Sequence, residues 1–505
     1  MRLFRRKPVP VPPHTRRAAD YPGALSARAL RDLLGGDADF AARELWLGGD
    51  PEKPAALFWL DGMTQGEKLA GELLRPLSED QRLKQAGSPE ETVQLLLRGG
   101  LWCAAVRRVD TLDGAARALM GGSAVLIPDG AAFGLACMVR TEERRSVEAP
   151  ENEKVTKGSR EAFSEELRVN TALVRKRLRT PRLRIAEEIV GRESLTPVDV
   201  LYVDGLTDPA LVEEVRRRLG KIDTDELFAA AWLEEYLIDQ RTIFPLILTT
   251  ERTDKLCSHL MEGRVGLLAD GLPTAYILPV TLPQFLRAMQ DNASRPLMSS
   301  VLRVLRYLSV LVTLLLPAFY TAVATFHQEM IPTRFALSII ASKQDVPFVT
   351  TMEVLIMLLA FEILQEAGLR LPQNIGQTVS IIGGLVVGQA AVDAKIVSPV
   401  VLIVVAAAGI TGYTMPNQDF ANALRLWRFL ICVAAALMGL FGITIAMAVM
   451  LYRLASLETF GVPYLTPFTG PPRRPGQRSA LLRLPARQVK LRDSVLHPQN
   501  EREQR

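Results

Sequence analysis

From residue 307 to residue 452 the chain runs 146 residues with six Lys or Arg and seven Asp or Glu. A stretch that long and that poor in charge cannot be the surface of a soluble domain, but a bilayer accommodates it. The chain therefore reads as a membrane protein with a large soluble N-terminal half. Whole-chain averages of 48% hydrophobic and 23% charged residues, with a net charge of +5, hide this because the charge sits at both ends. The 505 residues leave room for about three domains of roughly 150 residues each. Cys103, Cys137, Cys257 and Cys432 show no CxxC, HExxH or disulfide-like spacing, which argues against a metal site and against a disulfide-stapled extracellular module. The basic opening MRLFRRKPVPVPPHTRR lacks an apolar core, so no cleavable signal peptide is expected.

The soluble half reads as a duplication. Ala55-Ala-Leu-Phe-Trp-Leu-Asp-Gly is echoed by Val198-Asp-Val-Leu-Tyr-Val-Asp-Gly, with Asp61 and Asp204 143 residues apart. A second match places Asp129 and Asp270 141 residues apart. Two matches at almost one offset indicate an internal repeat. Each apolar run ending in Asp-Gly is a buried strand entering a tight turn, and a helical pattern follows the first of each pair. Two similar α/β subdomains are expected, in which the four aspartates serve turn chemistry before ligand binding.

Between them, residues 157–179 form a charged helical stretch with Phe163, Leu167, Leu173, Val174 and Leu178 on one stripe. Its arginines read as a solvated face of a connecting helix; without aromatic residues beside them they make no nucleic-acid platform. From Arg453 onward ten Lys or Arg and seven prolines suggest a poorly ordered basic tail near anionic lipid headgroups. No P-loop, nucleophile elbow or Cys–His pair supports catalysis, so no enzyme activity and no cofactor is expected.

Five segments are candidates for membrane passage: 308–326, 346–366, 371–392, 396–418 and 429–452. The first, fourth and fifth are long enough at about 1.5 Å per residue to cross a core of ~30 Å. The second contains Glu353, Glu362 and Glu366; the third is rich in Gln, Asn and Gly. Gly383, Gly384 and Gly388, like Gly409/Gly412 and Gly439/Gly442, read as helix-packing surfaces.

These residues carry a family resemblance. Thr250-Glu-Arg-Thr-Asp, Glu262-Gly-Arg-Val-Gly-Leu-Leu-Ala-Asp-Gly-Leu-Pro, Phe361-Glu-Ile-Leu-Gln-Glu-Ala-Gly-Leu-Arg-Leu-Pro, Ile375-Gly-Gln-Thr-Val-Ser, Val397-Ser-Pro and Gly461-Val-Pro-Tyr-Leu-Thr-Pro run through the chain. With Gly158-Ser-Arg-Glu-Ala-Phe-Ser-Glu-Glu-Leu-Arg-Val-Asn in the soluble half, they resemble the A-subunit family of bacterial spore germination receptors (GerA type), SpoVAF-type paralogues included. Thr253 stands where the family usually has proline, and Asn292 follows Asp291 where it usually has tyrosine. The resemblance covers about residues 40–470. It implies a multi-pass subunit in the inner membrane of the spore: a homo-oligomeric, nutrient-gated channel releasing monovalent cations, working with a transporter-like B subunit and a lipoprotein C subunit. A non-conducting scaffold and a secondary transporter are the alternatives; a transporter would show repeats in its membrane half, and repetition is seen only in the soluble half.

The expected organisation is a basic Pro-rich segment (1–35), α/β subdomains at 36–150 and 185–300 joined by a charged connecting helix (151–184), a transmembrane helical domain (301–455), and a basic Pro-rich cytoplasmic tail (456–505). Arg303 and Arg306 before the first segment and the basic tail after the last put both ends on the cytoplasmic (core) side. Two ends on one side need an even number of crossings, so one of the five segments must fail to cross. The amide- and Gly-rich 371–392 is the choice, as a broken or re-entrant element, leaving about four spans, with residue 420 outside and 480 inside. Only Val354 to Phe361 separate Glu353 from Glu362, about 12 Å of helix, so one carboxylate lies at membrane depth if this segment crosses. The two point to opposite faces. Thr351, Leu355, Leu358, Glu362 and Glu366 form the stripe expected to line a pore, whose acids would favour cations, while Glu353 packs against a neighbouring helix.

Overall fold

In the computed structural model the described residues are 21–503, apart from 22, 142–149, 151–152, 154, 156, 228–229, 371–387 and 470–473. The soluble half contains two five-stranded antiparallel sheets. The first comprises β1 (Phe40–Trp46), β2 (Pro54–Leu60), β3 (Val106–Val109), β4 (Ser123–Pro128) and β5 (Gly134–Met138); the second comprises β6 (Leu183–Val190), β7 (Thr196–Val203), β8 (Leu248–Thr250), β9 (Val265–Ala269) and β10 (Ala275–Leu278). Their strand orders are β1-β2-β4-β5-β3 and β6-β7-β9-β10-β8, the same path drawn twice.

The repeat extends to register. Ala55 pairs with Pro128 and Phe58 with Val125; at the same offsets Val198 pairs with Ala269 and Leu201 with Gly266. The Asp-Gly turns match as well. The Asp61 amide donates to Asp39 O (2.7 Å) and that of Asp204 to Arg182 O (2.8 Å), while Asp129 and Asp270 reach Pro54 O (2.9 Å) and Pro197 O (3.0 Å). All four following glycines have φ between 70° and 77°, a conformation that costs any residue with a Cβ. Asp270 also accepts from the Leu167 amide at 3.0 Å, so it caps the helix between the sheets.

Helices named here are α1 (Leu112–Met120) and α2 (Leu167–Arg177), then α3 (Thr253–Leu260), which stands before β9 as α1 stands before β4, and in the helical half α4 (Pro296–Thr325), α5 (Thr333–Lys343), α6 (Thr350–Arg370), α7 (Pro399–Gly412) and α8 (Gln418–Ser456). Two of them, α4 and α8, are long and apolar enough to cross a membrane. Leu308, Leu311 and Phe319 on α4, Ile403 and Ile410 on α7, and Leu437, Phe441 and Ile445 on α8 are exposed. An apolar surface of that extent belongs against lipid.

Several expectations change. The helix between the sheets is only α2, and its Arg175 is 0% exposed instead of solvated. The 396–418 segment yields a helix of 14 residues, α7, because Pro399 begins it at Ser398 and Tyr413 closes it; at ~1.5 Å per residue it spans about 21 Å, short of a 30 Å core. The 429–452 segment is not a single pass. Gly439 (φ 60°, ψ −139°) interrupts α8, and a Cβ at Gly442 would fall on Ala434 O, eight residues back. Those atoms would be far apart in a straight helix, so α8 is a hairpin of two helical arms. Its tip lies against Phe326 and His327, at the distal end of α4. Its two ends return to the soluble half: Phe420 stacks on Phe285 with centroids 5.8 Å apart, and the Glu458 amide donates to Gln240. Residue 420 therefore shares a side with the soluble half, not the opposite one. The hairpin makes two passes where one was expected, so parity no longer requires one of the five segments to stop short. The 371–392 element chosen for that role, with Gly383 and Gly384, lies mostly outside the described residues.

The tail is built, not trailing. Arg478 pairs with Glu262 and Glu503, Arg492 donates to Met261 O at 2.7 Å, and the Arg483 amide donates to Ser300 Oγ on α4 at 3.0 Å. It straps the second sheet unit to the root of the first membrane helix.

Candidate functional site

Two carboxylates of α6, Glu353 and Glu362, are held by ion pairs to neighbouring helices. Glu353 is 0% exposed. Its Oε2 accepts the Ser398 amide at 2.8 Å, at the N-terminus of α7, where the helix dipole favours an anion. Lys343, the last residue of α5, lies 3.1 Å from Oε1. Two turns along α6, Glu362 pairs with Arg428 of α8, whose side chain is 3% exposed, and Arg425 stands 3.7 Å away. Placing these charges away from water is costly unless they are paired, and breaking such a pair costs more than never having built it.

The stripe forecast on α6 divides in place. Leu358 is fully buried, Thr351 and Leu355 are partly buried, Glu362 faces α8, and Glu366 is exposed. Within one chain, then, the stripe is covered by neighbouring helices for much of its length. On the packing side, a Cβ at Gly388 would come within 2.9 Å of Leu402 and one at Gly409 within 2.6 Å of the Phe361 ring. Thr313 of α4 and Thr411 of α7 share a hydrogen bond of 2.9 Å. Lys343, Ser398, Arg425 and Arg428 did not stand out in the sequence. The signal was there in the near balance of six cations and seven acids within the apolar stretch, which asks for pairing.

The root of this bundle is also charged. Asp291 is buried and takes Arg303 at 3.0 Å and Arg306 at 2.8 Å, so the two cations ahead of the first span share one counterion. Below it, the second sheet unit continues into the membrane helices as one core. Phe285 and Phe244 reach Phe420, and Leu314, Val354 and Val405 belong to the same cluster.

The sequence pattern described as Bacillus/Clostridium GerA spore germination protein matches residues 28–495. The chain belongs to the GerA family. It is 38% identical to the membrane protein YfkQ of Bacillus subtilis over 81% of this chain and 79% of that one. It is 35% identical to B. subtilis spore germination protein KA (90% and 82% covered) and 32% identical to Bacillus cereus spore germination protein GerLA (93% and 94%). The crystal structure of the N-terminal domain of the A subunit of the Bacillus megaterium spore germinant receptor GerK3 matches 50% of this chain and 92% of that one, at 26% identity and a TM-score of 0.39. The GerA family is one of germinant receptor proteins and not of enzymes, as the sequence motifs led us to expect. In this GerA-family chain the match takes in both sheets, the ion-paired α6 and nearly all of the strapping tail.

Proposed function

We propose that this GerA-family chain is the A-type subunit of a germination receptor in the inner membrane of the spore. In this reading its helical half, assembled as a homo-oligomer, passes monovalent cations when the receptor is triggered, in company with a transporter-like B subunit and a lipoprotein C subunit. Both termini lie on the core side, with the hairpin of α8 supplying the even number of passes, and membrane lipids surround the exposed apolar belt. The observation that carries the reading is the two ion pairs, Glu353–Lys343 and Glu362–Arg428, each with one buried member, set among helices otherwise nearly free of charge. Ionisable residues at membrane depth are costly and mark ion paths or switches. Opening would separate Glu362 from Arg428 and turn the stripe of Thr351, Leu355, Leu358, Glu362 and Glu366 toward a shared axis, where acidic rings favour cations.

A non-conducting scaffold is the second reading, favoured by the burial of Leu358 inside one chain. Purified protein in liposomes loaded with potassium separates the two. Potassium efflux above that of empty liposomes is expected for the channel. Efflux no faster than from empty liposomes, with the protein inserted and assembled, would remove the channel and leave the scaffold.

A further inference from the structure

Where the second sheet unit, the root of α4 and the tail meet, they enclose a cavity of about 320 Å³, at the small end of ligand-site volumes. Five fixed cations border it: Lys255, Arg287, Arg303, Arg478 and Arg483. Three have carboxylate partners. Lys255 pairs with Glu153, Arg303 with Asp291, and Arg478 with Glu262 and Glu503. Arg287 and Arg483 have none among the described residues. Arg287 gives one hydrogen bond to Ser479 O at 3.0 Å, and its Nε is shielded from solvent with no partner. The Arg483 guanidinium donates only to backbone carbonyls, Ser294 O and Asn292 O. A guanidinium carries five N–H donors in a planar fork that suits an oxyanion, so both have capacity left over.

The electrostatics of the site favour an anion. Burial, and then the neighbouring Arg303 charge, bring Arg287 down to about 10. Glu262 offers no relief. Although burial works against it, Arg478, His259 and Arg264 hold its carboxyl well below the usual range, so it is already engaged. A guanidinium whose Nε is shielded from water without a partner is expensive to keep. A bound oxyanion would take the open donors of both arginines.

We propose that this cavity is a phosphate-binding site contacted directly by Arg287 and Arg483. The phosphate is either free in solution or carried by an anionic lipid headgroup, because the Arg483 backbone is fastened to Ser300 at the root of the first membrane helix, within reach of both. Occupancy would clamp tail, second sheet unit and α4 together. The site does not depend on whether the chain conducts ions.

The test uses the full chain in phosphate-free dodecyl maltoside micelles. Its melting temperature is followed against inorganic phosphate at ionic strength fixed with chloride, and separately against dihexanoyl phosphatidylglycerol. A rise with phosphate assigns the free anion; a rise with the lipid alone assigns the headgroup. In either case Arg287→Gln and Arg483→Gln should each weaken the response at least tenfold, as the loss of a charge-assisted contact does. Should these variants fail to fold, the wild-type chain supplies a second measurement. The same ligand should protect Arg287 and Arg483 from phenylglyoxal, read by mass spectrometry. No response to either ligand, an undiminished response in folded variants, or modification of both arginines at the same rate with and without ligand would each overturn the site.

Discussion

The two sheet units share strand order, register and turn geometry, yet they are fastened in different ways. The second is continuous with the membrane helices through an apolar core in which Phe285 stacks on Phe420. The first keeps its own two apolar clusters and meets the second through buried charge. Arg175 donates to both oxygens of Asp39 (2.6 Å each), to Asp37 at 3.1 Å and to Leu183 O at 2.9 Å, while the Ala38 amide donates to Ile185 O at 2.8 Å. An apolar weld is broad and tolerant of small shifts. A buried polar joint is held by directional bonds and holds firmly in one geometry. The duplicated fold thus presents one unit fixed to the membrane domain by apolar packing and one joined to it through buried, directional bonds.

The joint should be the more brittle of the two. Arg175→Ala leaves Asp39 buried without its counterion and Asp37 with only Arg184 at 3.7 Å, and about 3–5 kcal/mol of stability should be lost. Hydrogen exchange on the full chain should then show new exposure at β1 and β6 with both sheets still protected; loss of protection throughout the first sheet would mean that the joint and the fold are inseparable. Phe285→Ala in the weld should cost a comparable amount, roughly 3–4 kcal/mol as a cavity. Here the melting of the membrane helices should fall, and an effect confined to the first sheet would contradict the division.

Asp199 sharpens the contrast through pH. It lies on β7, 3.0 Å from Arg168, and burial raises its pKa from 3.8 to about 7 despite that arginine. A raised folded pKa means that the folded state binds the proton more tightly. Its stabilising effect is complete below about pH 4 and is lost as pH rises through about 7. The melting temperature of wild type relative to Asp199→Asn should therefore fall between pH 4 and pH 7, by an amount equivalent to roughly 2–4 kcal/mol, and stay level above. A difference that does not change with pH would show that Asp199 does not titrate in that window. The smallest effect is expected at a turn. Gly271 (φ 77°) has open space around it, so Gly271→Ala should cost only the backbone strain, about 1–2 kcal/mol; a neutral result in thermal melting would show that the turn relaxes.

Much of the soluble half was legible because strands ending in Asp-Gly carry their register with them. Asp61/Asp204 and Asp129/Asp270 were enough to align two sheets residue by residue. The joint was not legible, since Arg175 sits in a run of arginines where nothing local separates a buried guanidinium from solvated ones; only Asp37 and Asp39, more than 130 residues earlier, do so. In the helical half hydropathy found the apolar segments and missed the hairpin, because a glycine at positive φ within an apolar run has the same composition as a packing glycine. The acids of α6 were found, and their partners on α5 and α8 were not, for pairing across helices leaves no periodic trace in one sequence.

In the proposed channel, the carboxylates of α6 serve the passage of cations. Glu362→Gln with Glu366→Gln, compared with wild type in liposomes, tests it most directly through potassium flux and the ratio of potassium to chloride permeability. The double variant, with normal assembly, should lose most of its cation preference, and its flux should fall at least several-fold. Unchanged flux and unchanged preference in a correctly assembled variant would contradict it.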